Sequence, residues 1–255
     1  MKQTEKKIAL ITGGNRGLGF EIARQLGTRN MVVLVCARNE DAGKTAADQL
    51  NSQNIEAYFI PLDILNPESI VNSVNLVTEK FGRIDILVNN AAHLPGEKER
   101  KIELHAPSSI SPDLLFTYIN TNFLAQVAVT QAFLPLLRKS SSGRIVNMSS
   151  SIGSITIASE PLHQNGSKPA ALAYASAKAA FDMFTVMLSK ELAGTPIKVN
   201  CADPGLTQTD AGGPNAPNTV EQGAKPAVWL ACLDNDGPTG CFFTHRLTHV
   251  TTNPW

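Results

Sequence analysis

Thr12-Gly13-Gly14-Asn15-Arg16-Gly17-Leu18-Gly19 follows an apolar run at 7–12 and leads into a helical pattern at 17–28. Four of the seven residues from Gly13 to Gly19 are glycine. A turn of this kind, between a strand and a helix, lets backbone N–H groups reach a pyrophosphate at the helix N-terminus, where the dipole favours negative charge. Glycine permits the φ values and the close approach that this needs. Ordinary strand–helix turns also favour glycine. Four set this closely after the first strand point to phosphate binding instead. The spacing is G-x-x-x-G-x-G, not G-x-G-x-x-G.

Working outward, short β-branched runs alternate with longer helical patterns. Strands are expected at 31–37, 56–61, 84–88, 144–148, 197–202 and 240–243, and helices at 41–51, 67–81, 112–137, 170–192 and 220–231. Apolar strands separated by helices imply a parallel sheet covered on both faces. Right-handed crossovers then give a doubly wound α/β sheet of about seven strands. No repeat or linker divides the chain, so one domain is expected over 1–255. Loop inserts are expected near 92–111 and 153–169, and a substrate lid near 205–218.

Composition excludes several classes. Of 255 residues, 43% are hydrophobic and 17% charged, which suits a folded core and not a disordered chain. Lys+Arg and Asp+Glu balance at 22 each, so the basic excess of a nucleic-acid binder is absent. The longest apolar run, 31–37, is far short of the roughly 20 residues of a membrane span. The charged stretch 1–7 precedes only a short apolar run, which does not make a signal-peptide core. Cys36, Cys201, Cys232 and Cys241 form no C-x-x-C pair, and the histidines cluster with no carboxylate or thiol. Reduced thiols, no metal site and a cytoplasmic protein are expected.

Further motifs follow in order: Asn89-Asn90-Ala91-Ala92 after the fourth strand, Asn122, the serines Ser149 to Ser151, Tyr174-Ala-Ser-Ala-Lys178, and Pro204-Gly205 after the sixth strand. With the glycine turn, this set resembles the short-chain dehydrogenase/reductase family, over nearly the whole chain, while Pro226-Ala-Val-Trp-Leu-Ala231 and Gly237-Pro-Thr-Gly-Cys-Phe-Phe243 look more like its carbonyl-reductase branch. The resemblance implies a Rossmann-type fold and an NADP(H) cofactor. Ala92 and Ala125 stand where the family usually has glycine, so a tight fit is expected there.

The second strand ends Ala37-Arg38, where a dinucleotide fold faces the adenosine ribose. An acid there would accept from the ribose hydroxyls and repel a 2′-phosphate. Instead, Arg38 and the turn residue Arg16 offer two guanidinium groups, which favours NADP(H) over NAD(H). The alternative is two solvated surface arginines. By resemblance, Gly13, Asn15, Gly17, Leu18 and Gly19 hold the pyrophosphate side. Asp63 and Ile64 meet the adenine, Asn90 and Ala91 line the adenosine side, and Pro204, Gly205, Thr207 and Thr209 contact the nicotinamide.

Tyr174 and Lys178 share one helix face, one turn apart. A phenol with pKa near ~10 is a poor base, and a neighbouring ammonium is expected to lower that pKa. Such a phenol exchanges a proton with a substrate oxygen. Read alone, the pair is an ordinary surface pair; the glycine turn and the serine strand lift it above that. The resemblance adds that Lys178 binds the nicotinamide ribose and that Ser150 holds the carbonyl oxygen. Ser149 is the alternative, because three adjacent serines leave the register open. Asn122 is implied to stiffen a helix kink and hold a water on the proton path, with Asn120 the weaker choice.

These readings converge on an NADPH-dependent reduction of a ketone or aldehyde, with Tyr174 as proton donor. Two alternatives stay open. One is a 3-oxoacyl-carrier reductase, for which Lys98, Arg100 and Lys101 give only a small basic patch among glutamates. The other is a non-catalytic dinucleotide-binding sensor, a class that usually lacks the tyrosine or the lysine. The 170–192 helix is apolar on several sides and needs cover on several sides; the resemblance implies that a second copy supplies it, as a homo-oligomer, dimer or tetramer, with a monomer as the competing state.

Overall fold

The computed structural model describes residues 6–93, 106–161, 172–210, 212–246 and 249–255. Within the expected inserts, 94–105, including Lys98, Arg100 and Lys101, and 162–171 lie outside the described residues.

Strands β1 (Ile8–Thr12), β2 (Val32–Ala37), β4 (Ile86–Asn89) and β5 (Arg144–Met148) are buried at every position. With β3 (Ala57–Pro61) and β6 (Lys198–Asp203), they form the parallel body of one sheet. Side chains alternate between its faces, as the pleat demands. Ala9, Ile11, Val33, Val35, Val88 and Val146 pack under α1 (Gly17–Gly27), α2 (Glu40–Asn51) and α8 (Val220–Ala231). Leu10, Leu34, Leu87, Ile145 and Val199 face α3 (Pro67–Phe81), α5 (Ala125–Leu137) and α7 (Leu172–Glu191). Two cores on one sheet explain why the strands read as apolar runs instead of alternating ones. Phe133 of α5 is fully buried in the second core, and truncating such a side chain costs roughly 3–5 kcal/mol.

The strand order is β3-β2-β1-β4-β5-β6-β7-β8, with β7 (Phe242–Arg246) parallel to β6 and β8 (His249–Thr252) antiparallel to β7. Succession reverses between β1 and β4. A crevice opens there, beyond the carboxyl ends of the strands. Local signals set the helix starts. The Asn66 side chain accepts from the N–H groups of Glu68 and Ser69, with Pro67 in the first turn of α3. A capping box of Thr219 and Gln222 begins α8.

Three features depart from the sequence reading. Among the described residues the sheet has eight strands, because a short polar segment, His249-Val-Thr-Thr252, adds antiparallel to β7 without any apolar run to announce it. The expected helix at 112–137 is broken: α4 (Pro112–Ile119) passes through a π-helical segment, Asn120–Leu124, into α5. In the second insert, a 3₁₀ turn (Ser151–Gly153) is followed by a one-turn helix, α6 (Ile155–Ala158).

Candidate active site

The crevice at the switch point measures about 1890 Å³. Small-molecule pockets usually hold about 300–1,000 Å³, so this one has room for a dinucleotide and a second molecule. It is lined from the glycine turn by Gly13, Asn15, Arg16, Gly17, Leu18 and Gly19. Arg38 lines it after β2, Asp63 and Ile64 after β3, and Asn90 and Ala91 after β4. Pro204, Gly205, Thr207 and Thr209 close it after β6. Every residue expected to meet the cofactor thus borders one space, together with Ser150, Tyr174 and Lys178.

The turn is built for close approach. A Cβ on Gly19 would lie 2.4 Å from the Gly13 carbonyl oxygen, so only glycine lets α1 start this near the strand. Among the described residues, no side chain caps the N-terminus of α1 and no acid occupies its first turn. The positive helix end therefore faces the crevice with no acid of its own first turn to neutralise it. Asn90 fastens β4 to the turn, donating from Nδ2 to the carbonyls of Thr12 (2.9 Å) and Gly13 (3.2 Å). The Thr12 hydroxyl accepts from the N–H groups of Asn90 and Ala91, both at 2.9 Å.

The two arginines differ. Arg38 is exposed and makes no ion pair among the described residues. Arg16 is paired with Asp210 of the expected lid, both largely exposed. The uncapped helix end, Ala37 where an acid would stand, and the free Arg38 guanidinium together fit a phosphorylated dinucleotide. Two expected contacts are engaged locally. The Thr207 hydroxyl donates to the carbonyls of Pro204 and Gly205 (both 3.1 Å). The Asp63 carboxylate accepts from the Leu65 N–H (3.0 Å).

Tyr174 and Lys178 lie one turn apart on α7, with the Lys178 ammonium 5.4 Å from the centre of the Tyr174 ring. Lys178 Nζ donates to the Met148 carbonyl at 2.7 Å, which aims a buried side chain into the crevice. Burial lowers the Lys178 pKa to about 8, opposed first by Asp182. The expected lowering of the Tyr174 pKa is not found. Although part of the residue remains open, desolvation raises it, aided by Asp203. The group waits as a neutral phenol, the form that donates a proton.

Ser150 follows β5 and lines the crevice, and its hydroxyl oxygen accepts from the Ile152 N–H at 3.3 Å. Ser149 is 3% exposed, so Ser150 is the more open of the two. A Cβ on Gly153 would come within 2.7 Å of the Lys178 Cβ, so glycine there lets the serine segment press against α7. Asn122 does not line the crevice. Fully buried in the π segment, its Oδ1 accepts from the His93 N–H (2.8 Å) and its Nδ2 donates to the His93 carbonyl (3.0 Å). The kink is thereby tied to the segment leaving β4. Asn120 sits in the same π segment and is partly buried. Ala125, where a tight fit is expected, is 6% exposed, whereas Ala92 is exposed and its methyl meets no such constraint.

Other residues at the site escaped the sequence reading. His93, Tyr118 and Tyr174 form a run of edge-to-face rings, with centres 4.8 and 6.4 Å apart, along one wall. Asp203, 4% exposed, accepts from the Gly205 N–H (2.8 Å) and from Asn253 Nδ2 (3.3 Å) beneath the crevice. Asn89 donates to Asn147 and to Thr130, and Asn147 donates to Thr185. This buried polar chain joins α5, β4, β5 and α7 behind the crevice. An isolated asparagine or aspartate in sequence carries no mark of such partners.

The fold and this constellation define a dinucleotide-dependent oxidoreductase. A family model described as short chain dehydrogenase matches residues 7–219, and the chain belongs to that family. The (+)-neomenthol dehydrogenase of Capsicum annuum is 31% identical over 308 aligned positions, covering 96% of this chain and 98% of its own length. The structure of salutaridine reductase from Papaver somniferum superimposes with a TM-score of 0.77 at 27% identity, covering 93% of this chain and 99% of that one. NADPH-bound carbonyl reductase from chicken fatty liver gives a TM-score of 0.78 at 26% identity, covering 94% and 96%. Among the described residues, no helix is long and apolar enough to cross a membrane.

Proposed function

We propose that the protein reduces a ketone or aldehyde to an alcohol at the expense of NADPH. The observation that carries this reading is the meeting of Tyr174, Lys178 and Ser150 in the crevice that the glycine turn borders. NADPH, when bound, supplies a hydride to the carbonyl carbon. The glycine turn and the end of α1 hold the pyrophosphate, and Arg38, with Arg16, holds the 2′-phosphate. The Ser150 hydroxyl donates to the substrate oxygen. The Tyr174 phenol gives that oxygen its proton, and the Lys178 ammonium supports the phenolate left behind. Asn122 acts at one remove, fixing the kink and the His93 segment. His93 gives the substrate an aromatic edge, backed by the buried Tyr118 ring. The carbonyl-reductase and salutaridine reductase neighbours support the same chemistry.

In this reading a single domain spans the chain and works as a homo-oligomer. Phe116 of α4 (61% exposed), Leu124 of the π segment, and Met183 and Met187 of α7 leave apolar side chains in the open, which a second copy would cover. Four free cysteines fit a reducing compartment, the cytoplasm.

The test is an NADPH-oxidation screen over ketones, aldehydes, quinones and acyl thioesters. Turnover of a ketone or aldehyde is expected. NADPH binding with no turnover of any of the four classes would instead mark a sensor, and thioester-only turnover a 3-oxoacyl-carrier reductase.

A further inference from the structure

Asp182 lies on α7, one turn beyond Lys178 and two beyond Tyr174. It is 5% exposed, yet neither carboxylate oxygen accepts a hydrogen bond of ordinary geometry. A buried carboxylate without such bonds is costly unless a nearby charge compensates it. The groups that face it come from three elements. Tyr174 and Lys178 share its helix, Cys201 and Asp203 reach it from β6, and Ser149 from the end of β5. The Ser149 hydroxyl and the Cys201 thiol are close enough to ease its ionisation, while Asp203 opposes it. Lys178 is the single cation in this set.

The dependence runs both ways. Lys178 is 3% exposed and its one described hydrogen bond goes to a neutral acceptor, the Met148 carbonyl. A buried ammonium in that setting tends to lose its proton. Asp182 is the strongest charge acting against that loss. The remaining carboxylate near Lys178, Asp203, is already engaged by Gly205 and Asn253.

We propose that Asp182 is a positioning residue of the reaction: its buried carboxylate, one turn from Lys178 on the same helix, keeps Lys178 charged beside Tyr174, and so sets the pH range of proton donation. This rests on the reading of Tyr174 as the proton donor. Asp182 touches neither substrate nor cofactor; it acts through Lys178. Burial pushes the Asp182 carboxyl up to about 6. It is therefore ionised above that pH, up to the point near 8 where Lys178 gives up its proton.

The experiment has two arms. In the first, lysine side chains of the unmutated protein are ¹⁵N- and ¹³C-labelled, and Lys178, identified by its loss in Lys178→Arg, is followed by NMR from pH 5 to 10. Two inflections are expected, one near the Lys178 value of about 8 and a smaller one near the Asp182 value of about 6. A curve without the lower inflection overturns the proposal. This arm needs no turnover, so it stands or falls apart from the carbonyl-reductase reading. In the second arm, Asp182→Asn and Asp182→Glu are compared in kcat against pH. Asp182→Asn is expected to move the alkaline limb down by about one pH unit or more, roughly a tenfold loss on the falling limb, with KM for NADPH within about threefold. Asp182→Glu, which restores the charge, returns most of the range. A profile for Asp182→Asn that superimposes on the unmutated one, or a rate lost equally at all pH values in both variants, overturns it. If Asp182→Asn does not fold, the first arm alone decides.

Discussion

Arg16, at the start of α1, is paired with Asp210 across the mouth of the crevice. The pair joins the glycine turn to the segment after β6. A 2′-phosphate that recruits Arg16 must compete with Asp210. Both side chains are exposed, and exposed pairs contribute no more than about 1 kcal/mol. Asp210→Asn is therefore expected to lower KM for NADPH by at most about fivefold, with a smaller effect at high salt. A KM that rises would show that Asp210 helps to hold the cofactor instead of competing with it.

Replacing Tyr174 by Phe removes one oxygen from the crevice. NADPH affinity, measured by fluorescence titration, should stay within a few-fold. Turnover should fall by about 10²–10⁴, the usual worth of acid catalysis. Residual activity above about 10% of the unmutated rate would remove Tyr174 from the role of proton donor.

Cofactor choice should follow Arg38. NADPH is expected to be favoured over NADH, and Arg38→Ala with Arg16→Ala to abolish most of that preference. A charge-assisted hydrogen bond contributes roughly 1.5–3 kcal/mol, so each guanidinium should count for about tenfold or more. Equal kcat/KM for the two cofactors in the unmutated protein would refute the assignment.

The rate should decline above pH about 8, where Lys178 titrates. The sign follows from burial. Desolvation favours the neutral amine, so Lys178 carries its charge below that pH and loses it above. The neutral amine no longer supports the phenolate. A kcat that is flat from pH 7 to 10 would disconnect Lys178 from the proton transfer.

Assembly can be checked by light scattering coupled to size exclusion. A mass at a multiple of 27.3 kDa is expected, and Met183→Lys with Met187→Lys should shift it toward the monomer. A monomer at micromolar concentration in the unmutated protein would leave that apolar face without a second copy.

What could be read from residue order alone was whatever repeats or clusters locally. The apolar run at 31–37 carries β2 because a strand buried on both faces needs no alternation. The glycine turn announces itself because close approach leaves Gly19 no room for a side chain. The Tyr174–Lys178 pair is legible because helical spacing puts both on one face. By contrast, β8 exists through its ladder with β7, and its own sequence is polar. The pKa of Tyr174 goes up where a neighbouring lysine suggested down, since desolvation depends on what surrounds the ring in space. Asp182 is one aspartate among many until the fold buries it behind Lys178.

The π segment between α4 and α5 also fixes a phase. An α-helix advances about 100° per residue, so the wide turn at Asn120–Leu124 resets which way everything after it points. Before it, Tyr118 is turned toward Tyr174; after it, Val129 and Phe133 are turned into the sheet. A π turn closes i→i+5 and so holds about one residue more than an α turn. Wound as regular α-helix at unchanged length, 120–124 would carry the core residues about a quarter turn out of step with the aromatic wall. Removing one residue from 120–124 would let the stretch relax into regular α-helix with both faces kept in step, so a one-residue deletion there should be tolerated more readily than a one-residue insertion.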